Sequence, residues 1–136
     1  MTANAQKIST KPDPFEAFLI SQAFRVGDLV ITSGQAAIAP TGELVGVGDF
    51  DRQVEQTMAN LSAVLNAADS SLAQIIKVTI YLRDMSKFDK IMALRETYFT
   101  VPYPADTIVE VTSLALPELE IEIEAIALSG DGTVCP

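Results

Sequence analysis

The sequence predicts an α+β domain: one mixed sheet with two helices on one face, in the order β-β-α-β-α-β-β. Three observations carry this prediction. Residues 104–113 and 119–128 alternate apolar and polar side chains with period two, as strands with one face in a core do. Val54, Met58, Leu61, Leu65 and Ala68 recur at spacings of three and four, which puts them in one stripe of a helix. Residues 75–82 (Ile-Ile-Lys-Val-Thr-Ile-Tyr-Leu) are rich in the β-branched residues that strands favour. With 136 residues, the chain fits one domain that buries roughly two-thirds of its unfolded surface.

In chain order, residues 1–14 are polar and turn-rich and read as a flexible lead. Residues 18–26 read as the first strand, Gly27-Asp28 as a hairpin turn, and residues 29–35 as the second strand. That second strand ends on Ser33-Gly34, and a glycine there marks a bulge or a close backbone approach. Asp49 is placed to cap a helix running to about residue 68, with Asp51 in the first turn where the dipole favours an anion. Ser71-Leu-Ala-Gln74 has the form of a capping box for a short turn. A second helix begins near Ser86, with an apolar stripe of Phe88, Ile91, Met92, the Arg95 stem, Tyr98 and Phe99, and ends at Val101-Pro-Tyr-Pro104. Leu116-Pro-Glu118 separates the last two strands, which are expected to be antiparallel neighbours. Residues 129–136 form a tail.

Composition excludes several classes of function. A net charge of −9 and singly scattered basic residues offer no stripe for phosphates, so no nucleic acid partner is expected. No apolar run nears the roughly 20 residues of a membrane span. With no signal-peptide core either, the expected location is cytoplasmic, with no membrane partner. The chain has no histidine, which removes Ser-His-Asp and Cys-His catalysis and imidazole metal sites. Its single cysteine, Cys135, removes internal disulfides and thiolate cages. No metal and no cofactor is expected. Chemistry is left to carboxylates, hydroxyls, backbone groups and water.

The last strand carries the most pointed feature. Glu120, Glu122 and Glu124 share one face, opposite Ile121 and Ile123. No Lys or Arg follows Arg95, so this segment cannot neutralise itself. Two helices cover only one face of the sheet, and an oligomer is the expected cover for the other.

Several stretches together resemble the Rid family, the reactive intermediate (enamine/imine) deaminases also called endoribonuclease L-PSP. They are Ile31-Thr-Ser-Gly-Gln35, Thr41-Gly-Glu43, Lys77-Val-Thr-Ile-Tyr-Leu82, Pro104-Ala105 with Val109-Glu-Val111, and Ile121-Glu-Ile-Glu-Ala-Ile-Ala127. The resemblance spans residues from about 18 to 128. It implies a chorismate-mutase-like fold, a homotrimer, and small-molecule clefts between subunits on the sheet face away from the helices. It also implies that Glu122 positions the water that attacks an imine carbon, and that Ser33 and Gly34 line the cleft. In deaminating members an arginine follows the Pro-Ala pair and holds the substrate carboxylate; here that position is Asp106. The family's first-strand tyrosine is Ile20, its cysteine two residues past the arginine is Ile108, and its second-helix asparagine is Met92. The segment between the second helix and the next strand is also shorter.

A charge-assisted contact contributes roughly 1.5–3 kcal/mol, so exchanging a cation for an anion disfavours simple 2-iminocarboxylates. Glu122 is the expected catalytic residue, its alternative being a structural acceptor at a subunit interface. Glu120 and Glu124 read as solvated. Asp106 reads either as a ligand contact or as a local cap, and Ser33 as a hydrogen-bond donor rather than a nucleophile. Ile20, Met92 and Ile108 make the cleft apolar, as suits a neutral or cationic ligand. Hydrolysis of an imine, enamine or related C–N substrate is the leading function. A non-catalytic trimeric binding or regulatory module is the alternative, with ribonuclease activity last.

Overall fold

In a computed structural model, which describes residues 3–136, seven strands form one mixed sheet. The strands are β1 (Ala5–Ile8), β2 (Ala23–Val26), β3 (Leu29–Thr32), β4 (Gln35–Ala36), β5 (Ile75–Leu82), β6 (Ala105–Glu110) and β7 (Ile121–Leu128). Helix α1 (Phe50–Ala67) lies between β4 and β5, and α2 (Phe88–Tyr98) between β5 and β6. The strand order is β1-β2-β3-β7-β5-β6, with β4 also paired to β7. Among the described residues only β5 and β6 are parallel, joined by the α2 crossover, and every other pairing is antiparallel.

The central strands obey the period-two expectation. On β7, Ile121, Ile123, Ala125 and Ala127 are buried, and on β5 so are Val78, Ile80 and Leu82. They meet the α1 stripe of Val54, Met58, Leu61, Leu65 and Ala68 in one core. Asp49 caps α1 as expected, accepting the Arg52 N–H at 3.1 Å. Gln53, buried inside α1, donates to the carbonyls of Gly46 and Glu118 and accepts from the Glu120 N–H. That one side chain ties the approach to β7 onto the helix. In α2 the buried residues are Ile91 and Leu94, while Phe88 and Met92 stay partly exposed, so its stripe is narrower than the sequence predicts.

Four expectations are corrected. The two C-terminal strands are not neighbours: β5 inserts between them, pairing antiparallel with β7 and parallel with β6. Alternation identifies a strand but is blind to what lies beside it. The lead is not wholly without structure, because residues 5–8 pair with β2 and bury Ile8 (residues 1–2 lie outside the described residues). The first predicted strand shortens to β2; residues 16–18 form a 3-10 turn and Leu19 takes a left-handed backbone, φ 61°. The Ser71 hydroxyl donates to the Gln74 side chain at 3.1 Å instead of capping a backbone N–H. The tail carries no strand or helix but is tied down, Ser129 and Gly130 donating to the carbonyls of Asp28 and Asp69.

Candidate functional site

Strand register assigns the residues of the paired strands to a face. Tyr81 pairs with Glu122, Thr79 with Glu124, and Ile31 with Ile126, all on the side that no helix covers. Phe24, Val26, Leu29 and Ile31 lie on this side too and are 36–48% exposed. Toward one end of this face opens a cavity of about 560 Å³. Its polar wall is Ser33, Gly34, Glu122 and Glu124. Phe15, Phe18, Ile20, Ile38, Leu116 and Leu119 supply most of the apolar remainder. Among the described residues of this chain, no lysine or arginine lines it.

The interruption between β3 and β4 shapes the polar wall. Ser33 N–H donates to the Gln22 carbonyl, and its hydroxyl donates to the Ser21 carbonyl. The hydroxyl proton is therefore committed inward, and toward a ligand Ser33 Oγ offers an acceptor rather than the expected donor. Gly34 meets the expectation of close approach: a Cβ there would sit 2.6 Å from Glu122 Cδ and Oε2. Ile20 lies on the apolar wall, held by the turn at residues 15–20 rather than by a strand.

Burial and the neighbouring charge of Glu124 push the Glu122 carboxyl above its usual range. Glu124 is not simply solvated: Tyr81 Oη donates to its Oε1 at 2.7 Å. That hydrogen bond, with burial and the two carboxylates, raises the Tyr81 phenol as well. Because Glu122 titrates higher folded than unfolded, the folded state holds more protons just above the ordinary carboxylate range. Its penalty on stability therefore grows as pH rises through that window. Glu122→Gln is expected to raise the melting temperature at pH 8 relative to wild type, with no gain at pH 4. Thermal denaturation at both pH values checks the sign.

Asp106 is placed differently. Its register partner Val78 is fully buried beneath the helices, so Asp106 faces the helix side, opposite Glu122. There Arg95 of α2 grips it, Nε to Oδ2 and Nη2 to Oδ1, both at 2.9 Å. The two side chains are only 23% and 18% exposed. Arg95 thus neutralises the carboxylate at the position where the resemblance implies an arginine. A second hollow of about 290 Å³ is lined by Met92, Arg95, Asp106, Tyr103, Phe99 and others. Ile108 packs against the main core instead. Of the seven residues expected in one cleft, one chain brings Ile20, Ser33, Gly34 and Glu122 together, and keeps Met92, Asp106 and Ile108 apart from them. Asp106→Ala is expected to lower stability by about 1.5–3 kcal/mol by stranding the half-buried guanidinium, measurable by urea denaturation.

Comparison with known proteins agrees with this architecture. The model of the endoribonuclease L-PSP family matches residues 9–129. A RutC family protein of Pyrococcus horikoshii is 45% identical over 108 residues, covering 79% of this chain and 84% of its own length. The 2-iminobutanoate/2-iminopropanoate deaminase of Escherichia coli K12 is 34% identical over 128 residues, 91% of this chain and 98% of that protein. Among solved structures, RidA from the Antarctic bacterium Psychrobacter sp. PAMC 21119 superposes with a TM-score of 0.82 at 35% identity, covering 90% of this chain and 98% of that one. Yeast Mmf1 gives 0.85 at 32%, with coverage of 93% and 100%. An α+β, chorismate-mutase-like domain matched along nearly its whole length leaves one assignment: the chain belongs to the Rid family, the endoribonuclease L-PSP proteins.

Proposed function

We propose that the chain hydrolyses the C–N bond of an imine, enamine or related substrate that carries no carboxylate, in the cavity around Glu122. The observation that carries this reading is the polar wall itself, to which the described residues of this chain bring two carboxylates and no cation. A carboxylate-bearing ligand there meets repulsion, whereas a neutral or cationic one with an apolar body meets complementary walls. The E. coli relative is named for deamination of 2-imino acids, which supports C–N chemistry in the family. The substrate here differs by the charge of its anchor.

Glu122 supplies the proton transfers. Its carboxylic acid protonates the imine nitrogen, breaking its O–H bond and forming N–H. The resulting carboxylate accepts a proton from water as the water oxygen bonds to the imine carbon. In a second pass Glu122 protonates the amine nitrogen; as the C–N bond breaks and ammonia leaves, its carboxylate takes the proton of the hydroxyl on the same carbon, which gives the carbonyl product and regenerates the acid. Ser33 Oγ accepts a hydrogen bond from the substrate nitrogen or the water.

The working form is a homotrimer, with the small-molecule cleft between subunits. The exposed apolar residues Phe24, Val26, Leu29 and Ile31 on the uncovered sheet face support an assembly that buries them. Light scattering that finds a monomer would contradict it. Nine basic against eighteen acidic residues, and no histidine, leave ribonuclease activity last.

A non-catalytic binding module is the second reading. It draws on the polar groups already satisfied within the chain, Ser33 by Ser21 and Asp106 by Arg95. Ammonia release from a carboxylate-free imine supports the enzyme. Ligand-induced thermal stabilisation across a panel of amines and imines, without turnover of any of them, supports the binding module.

A further inference from the structure

Glu122 and Glu124 stand two residues apart on one face of β7, and both line the cavity. Burial in the recess and the charge of Glu124 both favour the neutral acid at Glu122. The neighbours of the two side chains differ. Tyr81, whose backbone pairs with Glu122, reaches diagonally and donates its hydroxyl to Glu124 at 2.7 Å. A hydrogen bond to a carboxylate favours its ionised form. Among the described residues no side chain donates to Glu122, and its burial favours the neutral acid.

The other charged groups around the pair do not offset this. On β5, Lys77 donates to Thr107 Oγ1 at 2.6 Å, and just past it Arg83 donates to the Pro117 carbonyl at 3.2 Å. The turn at residues 15–20 brings only Glu16, and the approach to β7 only Glu118 and Glu120. The β3–β4 segment across from Glu122 contributes Ser33, Gly34 and Gln35, none of which titrates.

We propose that Tyr81 and Glu124 are positioning residues for the reaction assigned above to Glu122, on which this role rests: the Tyr81 hydroxyl holds the Glu124 side chain in the cavity wall beside Glu122, and the charge held there keeps the exchangeable proton on Glu122. This suits a substrate that enters neutral and becomes a cation when its nitrogen is protonated, because the Glu124 charge stabilises the iminium as it forms. It also narrows the substrate class to weakly basic imines and enamines rather than strongly basic amidines, which arrive already charged.

The test follows the side-chain carboxyl carbon of Glu122 by NMR through a pH titration of the whole protein, without substrate. In wild type, Glu122 is expected to titrate above the ordinary carboxylate range. Glu124→Gln is expected to move the Glu122 midpoint down. Tyr81→Phe, which removes one hydroxyl and little volume, is expected to move it down by less, because the Glu124 side chain is no longer held beside Glu122. In kinetics, the basic limb of the kcat/KM profile moves down with the Glu122 midpoint, about tenfold less activity at neutral pH for each unit. A Glu122 midpoint unmoved in both variants overturns the proposal. Because the titration needs no turnover, the expected NMR shifts with an inactive wild type would instead refute the reaction assigned to Glu122.

Discussion

Glu122→Gln is expected to reduce ammonia release from a carboxylate-free imine by about 10²- to 10⁴-fold, the usual contribution of a general acid–base group. The amide keeps the volume and most of the polarity of the carboxyl, so the cavity keeps its shape. What it loses is the proton that moves to nitrogen and the base that takes one from water. Nothing else in the wall replaces it: Ser33 has committed its proton to Ser21, and Glu124 accepts from Tyr81. The loss should fall on kcat more than on KM, because the apolar walls that bind the substrate body are unchanged. Steady-state ammonia assays on wild type and variant check this. Activity retained within a few-fold would return Glu122 to the role of a structural acceptor.

Gly34→Ala is expected to cost about 10²-fold in kcat/KM while barely changing stability. The added Cβ would lie 2.6 Å from Glu122 Cδ and Oε2 and 2.9 Å from Cγ, well inside contact distance. Those atoms belong to a flexible side chain, so relief comes from swinging the carboxyl aside rather than from moving β7. Stability is therefore preserved, but a displacement on the order of 1 Å at the reacting group is enough to give a loss of that size. A large drop in melting temperature, or wild-type turnover, would mean that Gly34 does not set the position of Glu122.

Local periodicity made much of the fold legible. The α1 stripe, the Asp49 cap, β5 and the alternation of β7 each depend on residues a few positions apart. Gly34 was legible as a site of close approach, although its partner was not. The order of the strands was hidden, because nothing in residues 104–128 shows that β5 lies between β6 and β7. That insertion decides the site. It puts Tyr81 beside Glu122 and Glu124, turning a glutamate that reads as solvated into a hydrogen-bonded part of the cavity wall. Asp106 lies on the helix side, where Arg95, eleven residues earlier in the α2 crossover, can reach it. The missing positive charge was thus legible as an absence from one position. Its replacement by an ion pair required the register and the placement of α2.

The most direct measurement compares kcat/KM for two imines of the same carbon skeleton, one bearing a 2-carboxylate and one without it, each generated in situ and followed by ammonia release. A cavity walled by Glu122 and Glu124 with no cation predicts preference for the uncharged imine by at least about tenfold, equivalent to about 1.4 kcal/mol. Preference for the 2-imino acid, persisting in wild type and lost in Arg95→Met, would contradict it and make Arg95 the carboxylate anchor.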